Sequence, residues 1–371
     1  MRFEIAKWVG VAAALAVAGC ATTDAERVAV GPAGKNVYDI RFAPLPSDFS
    51  TMLRDAPDEW NFNFRPYGAS SEWLWSDSNV RRDAAADGKL SDRRITALRV
   101  SCDEQGFDVL MYGCEPSLSD YLSKTNDYPY QSIEYFVAPG DADEPGVQQR
   151  FMCYYGDGEN REYENREPDR QFRLAKPTVS ETALANSVVV RISYDWANFW
   201  NRLPLFSDRV DNFWRLSLIR WVEGGLTWGG TVHQNSQAGY IRWPDFTPAQ
   251  RTAILKTTLE KGWREFRKLV QTNPISVDKV TANWLLATEM RRKLDPRSFV
   301  NMNEDPDFRE TLVRMIAERQ ALAPEIARMG EMSRTEQDAF YARASELLFN
   351  FPWALQEAYG EYQRNRLFGR K

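Results

Sequence analysis

Few side chains in this 371-residue sequence are of a type and spacing that would support covalent chemistry. His233 is the single histidine, so a serine–histidine or histidine–metal enzyme has one base to draw on. Four cysteines are present, and Cys20 belongs to an apolar amino-terminal run. No Cys-x-x-Cys or Cys/His spacing links Cys102, Cys114 and Cys153, which makes a metal site the weaker alternative to a disulfide. In an exported chain these three predict one disulfide and one buried thiol. Cys102 falls at the turn end of a predicted hairpin. Cys114 falls at the other end, which the return strand carrying Cys153 approaches, so Cys114–Cys153 is the expected pair. Such a link contributes ~3–4 kcal/mol by restricting the unfolded chain. The acidic connections 141–146 and 156–170 offer oxygens for a calcium ion, but no EF-hand spacing, and read as solvated hairpin tips. Nothing sets two carboxylates about 5–10 Å apart across a cleft, as glycoside hydrolysis requires. No residue set amounts to a catalytic motif and no cofactor is called for, which points to binding rather than turnover.

The elements that would hold such residues are strands first and helices afterwards. Residues 95–102 alternate Leu98, Val100 and Cys102 against Thr96, Arg99 and Ser101. A turn at 103–106 leads to 107–113, with Phe107, Val109 and Met111 on one face. Residues 133–137 set Ile133, Tyr135 and Val137 against Glu134 and Phe136, and 151–155 form the return run. Further alternating runs lie at 37–42, 187–194, 213–221 and 239–243. Period-two alternation of β-branched and aromatic residues between Gly and Pro turns predicts an antiparallel β-sandwich over 37–245.

At Thr247 the pattern changes. Thr247-Pro248-Ala249-Gln250 is a capping box with proline at the first helical position. Leu255, Leu259, Trp263, Phe266 and Val270 then repeat at helical spacing. Helices are predicted over 276–294, from 306 to about 329 with a break near Pro324, from a Ser333/Glu336 box to 350, and beyond Pro352. The fold class expected is α+β, a β-sandwich followed by a helical region over 246–371.

Charge is unevenly spread. Residues 20–245 carry 24 basic and 34 acidic side chains, and 246–371 carry 21 and 17. An acidic front half argues against nucleic acid, whose phosphates require a basic face.

At the amino terminus Arg2 and Lys7 precede an apolar run over 8–18, too short to span a bilayer. Val17-Ala18-Gly19-Cys20 resembles the lipobox of bacterial lipoproteins. The resemblance implies a signal peptide over 1–19, lipid (palmitate among its chains) on Cys20 and a tether over 20–36. Ala21 after the cysteine implies the outer membrane of the cell envelope.

The order of landmarks over 37–245 resembles a family 9-type carbohydrate-binding module, within the DOMON-like sandwiches. The landmarks are an Asp-rich segment ending in Trp60-Asn61, the acidic strand Gln131-Ser132-Ile133-Glu134-Tyr135-Phe136-Val137, the strand 189–196 ending in Trp, the strand 213–220, and 233–241 with its late glycine. In that family two aromatic rings sandwich a sugar while charged and amide groups hold its hydroxyls. The resemblance assigns Tyr128 and Trp228 to stacking, with Glu134, Gln234 and Asn235 as hydroxyl partners. The family's basic position on the next strand falls at Met152, a departure. Some DOMON-like sandwiches hold a b-type haem, which would use His233 with Met111 or Met152. The third class is a structural or assembly lipoprotein, whose helical tail packs on the sandwich or dimerises.

Overall fold

Alternation in the sequence becomes two facing sheets whose inner residues interlock. The structure is a computed structural model and describes residues 37–45, 48–49, 52, 57–66, 95–115, 131–140, 147–153, 163–165, 177–184, 186–206, 212–221, 225–230, 237–270 and 306–369. Thirteen strands are found among them. In chain order they are β1 (Val37–Asp39), β2 (Arg41–Phe42), β3 (Arg65–Pro66), β4 (Thr96–Cys102), β5 (Gly106–Cys114), β6 (Gln131–Pro139) and β7 (Val147–Cys153). Then come β8 (Tyr163–Asn165), β9 (Thr178–Ala183), β10 (Ser187–Asp195), β11 (Phe213–Trp221), β12 (Leu226–Trp228) and β13 (Gly239–Arg242). The larger sheet runs β1-β13-β11-β6-β7-β8, with β12 and β3 branching from β11. The smaller runs β2-β4-β5-β10-β9.

The inner faces are those that the alternation predicts. Leu98, Val100, Val109, Met111, Val190 and Ile192 meet Ile133, Tyr135, Val137, Leu216 and Leu218 in one buried cluster. The Tyr135 and Tyr194 hydroxyls, one from each sheet, share a hydrogen bond of 2.9 Å at its centre. Burying two phenols here requires that each give the other a partner.

Several features differ from the sequence reading. The single strand expected over 37–42 is two strands, one in each sheet, divided at Ile40. A chain that changes sheets at a corner of a sandwich does this. Both halves pair in parallel, β1 with β13 and β2 with β4, so the sheets are not wholly antiparallel. The polar run Thr178–Ala183 supplies an edge strand that its hydrophobicity does not announce. The smaller sheet is also covered outside: Ala97, Leu110, Tyr112 and Val189 pack under Met52, Trp60 and Phe62.

Cys114 lies on that outer face, in the same cluster, and is buried. Cys153 ends β7 in the other sheet. The expected Cys114–Cys153 pair would thus span strands of different sheets. Cys102 is a buried thiol, and burial pushes its pKa up.

The helical region consists of α1 (Pro248–Val270), α2 (Pro306–Gln320), α3 (Leu322–Ala327), α4 (Arg334–Phe349) and α5 (Phe351–Phe368) among the described residues. The helix expected over 276–294 lies outside them. Both capping boxes form as the sequence predicts: Thr247 with Gln250, and Ser333 with Glu336. The break near Pro324 falls at Ala321, three residues before the proline, which is tolerated only in a helix's first turn. The helices do not stand apart. Trp200 stacks on Phe349 at 5.3 Å, and the buried Tyr341 hydroxyl donates to the Trp200 carbonyl at 2.7 Å. One hydrophobic cluster runs through both parts. Among the described residues, no helix is long and apolar enough to cross a membrane.

The Ser333 hydroxyl and amide hold the Glu336 carboxyl below its ordinary value. A depressed carboxylate stabilises the helix above its unfolded pKa and loses that contribution as pH falls through the folded one. In Ser333→Ala the Glu336 pKa should rise toward that of a free glutamate, as read by NMR titration of its side-chain carboxyl. An unchanged pKa would show that the box does not hold in solution.

Candidate functional site

Several polar residues share the outer face of the larger sheet. Because β6 and β11 run antiparallel, Glu134 stands opposite Ile219, Phe136 opposite Ser217 and Ala138 opposite Arg215. Trp221, opposite Ser132, sits diagonally from Glu134, and its indole N–H donates to the Glu134 carboxylate at 3.1 Å. Glu134 is 4% exposed, whereas Trp221 is only half-buried. A carboxylate so enclosed has its orientation fixed by the indole donor. Next along β11, the Ser217 hydroxyl is buried with no hydrogen-bond partner. Arg215 lies over the Phe136 ring at 5.4 Å and donates to the Gly140 carbonyl at 3.3 Å. A carboxylate, a guanidinium, an unspent hydroxyl and an indole edge thus share one sheet face.

The ladder corrects the assignment of the basic position. β7 begins at Val147, four residues before the periodicity suggests, and register places Arg150, not Met152, opposite Glu134. Met152 stands opposite Ser132. The alternation signal fails at the start of β7 because Val147-Gln148-Gln149-Arg150 holds one apolar residue. Arg215, Ser217 and Trp221 were also missed as site residues. Their one signal was position, since each shares the face that Ile219 marks on β11.

Trp228 is not a stacking platform. It is 0% exposed, its indole N–H donates to the Asn61 side chain at 3.2 Å, and it faces the inter-sheet core beside Leu218. Gly239 packs so tightly on the ring that a Cβ there would lie 2.8 Å from it. The loop reading fails because residues 226–228 pair with β11, which turns the ring inward. Tyr128, Gln234, Asn235, His233, Cys20, the acidic run 141–146 and all of the run 156–170 but Tyr163–Asn165 lie outside the described residues, and Glu134 and Trp228 are the described members of the expected sugar site. Met111, one haem ligand considered, is sealed in the inter-sheet core. Among the described residues no group of three or more His, Cys, Asp or Glu side chains is placed to hold a metal.

No family model matches this chain. No curated protein matches it either. Among solved structures it is similar to a family 9 carbohydrate-binding module from Caldicellulosiruptor kristjanssonii in complex with glucose, at 12% identity and a TM-score of 0.33. That alignment covers 57% of this chain and 98% of the other. The module in complex with cellotriose gives 11% identity, a TM-score of 0.33, and coverage of 57% and 96%. A TM-score of 0.33 is too low for the likeness to carry an argument about function.

Proposed function

We propose that this chain is a non-catalytic lipoprotein of the cell envelope, anchored through lipid on Cys20, that binds carbohydrate on the outer face of its larger sheet. The observation that carries the binding reading is the Glu134 carboxylate held by the Trp221 indole beside the unpartnered Ser217 hydroxyl. Sugars present hydroxyls that need fixed acceptors and donors, and C–H faces that suit aromatic rings. A pre-oriented carboxylate and an unspent hydroxyl meet the first need, and the half-buried Trp221 meets the second. Tyr128, Gln234 and Asn235 stand in the proposal as contributors from neighbouring segments, while Trp228 does not.

Isothermal titration of the purified chain against glycans first identified on an array tests this. Glu134→Gln should weaken binding about 10- to 100-fold, the loss of ~1.5–3 kcal/mol expected for a hydrogen bond to a charged group. Trp221→Ala should weaken it as well, with the circular dichroism unchanged. A wild-type chain that binds no glycan, or a Glu134→Gln variant that binds equally well, would end the reading. The anchor is tested separately: metabolic palmitate labelling should be lost in Cys20→Ala.

A further inference from the structure

A cleft of about 1570 Å³ lies where the end of β13 and residues 244–246 meet the first turns of α1 and α4. It is distinct from the outer sheet face. Inside, Arg251 is 7% exposed and is held by Gln337 and Asp338, yet its Nε–H is buried without an acceptor. The indole N–H of Trp243, another lining residue, is also buried without one. Lys256 is half-buried; its ammonium reaches the Ala327 carbonyl at 3.5 Å, and no carboxylate among the described residues forms an ion pair with it. The carboxylates Asp245 and Glu331, by contrast, are exposed at the rim.

Solvent screens the exposed charges, so the attraction of Lys256 for an anion depends on ionic strength. Lys256 therefore offers positive charge without a carboxylate partner among the described residues, while Arg251, already paired with Asp338, and Trp243 each keep one N–H without an acceptor. The first residues of α1 and α4, Pro248 and Arg334, also line the cleft, next to the two capping boxes. Phe246 and Leu205 add an apolar wall.

We propose that this cleft binds an oxyanion, a carboxylate or phosphate group, carried on an organic body that rests against Phe246 and Leu205. Lys256 supplies the charge, and the Arg251 and Trp243 N–H groups lie behind it as further donors.

The full chain is titrated at low ionic strength with inorganic phosphate, glucuronate and glucose, read by calorimetry and by thermal shift. Phosphate or glucuronate should bind, glucose should not, and the affinity should fall with added salt. Preference for phosphate identifies a phosphate group as the natural anchor, and preference for glucuronate a carboxylate. Lys256→Glu should weaken anion binding at least about tenfold. Because Lys256 makes no ion pair among the described residues, its replacement should leave the melting temperature of the free protein unchanged. Arg364→Glu, the same change of net charge on the exposed face of α5, should leave anion binding intact. The proposal is overturned if neither anion binds the wild type, if glucose binds as tightly, or if both variants lose binding equally.

Discussion

Replacing Arg220 with alanine should destabilise the protein by about 3–5 kcal/mol, the cost of removing one partner from a buried ion pair. Arg220 sits on the inward face of β11, in line with Trp214, Leu216 and Leu218, and is 0% exposed. Its guanidinium crosses to the smaller sheet. There it donates to the Ile95 carbonyl at 3.3 Å, the Thr96 hydroxyl at 3.1 Å and the Cys114 carbonyl at 2.9 Å, with the fully buried Glu115 at 3.8 Å. Alanine would leave a buried carboxylate and two carbonyls without this donor, each at a desolvation cost. Gly113 leaves the space for the group, since a Cβ there would lie 2.6 Å from the guanidinium carbon. Urea unfolding should show a lowered midpoint with an unchanged slope. The double variant Arg220→Met with Glu115→Leu should recover much of the loss, because a hydrophobic replacement of a buried pair is often neutral. A single variant as stable as the wild type would mean that the two sheets are not clamped here.

Removing residues 246–371 should abolish cooperative folding. The helices do not decorate a finished sandwich: α1 buries Ile254, Leu255, Leu259 and Phe266 in the cluster that also contains Trp196, Phe199 and Trp243. Trp200 would lose its stack on Phe349, and Phe206 its contact with Tyr341. Each large apolar side chain returned to water forfeits ~1.5–3 kcal/mol, so a few such losses match a net stability of ~5–15 kcal/mol. The truncated chain should aggregate or bind a hydrophobic dye, with a broad thermal transition. A monomer with a sharp melt would show that the sandwich is an independent domain to which the helices are appended.

Much of the architecture is legible in local pattern. Alternation in β4, β5, β6 and β11 identifies the inner face residue by residue, because successive side chains on a strand point to opposite sides. The two capping boxes are legible for the same kind of reason: their hydrogen bonds join residues three apart. Within the candidate site this sufficed for Glu134, whose place on the outer face follows from Ile133 and Tyr135 facing inward.

Alternation cannot supply register between strands, nor the choice of which further layer covers a face. Only the ladder puts Arg150 across from Glu134, and only the pairing of residues 226–228 with β11 turns Trp228 into the core while Trp221 stays half-buried. The Trp228 partner, Asn61, is 167 residues away in the chain. Arg220 reads locally as the end of a strand, and it becomes a clamp because β5 presents a glycine and its carbonyls from the facing sheet. The sequence by itself therefore determined strand faces and helix starts, which depend on neighbours a few residues away. Tertiary structure decided which polar groups are brought together, because those contacts join residues far apart in the chain.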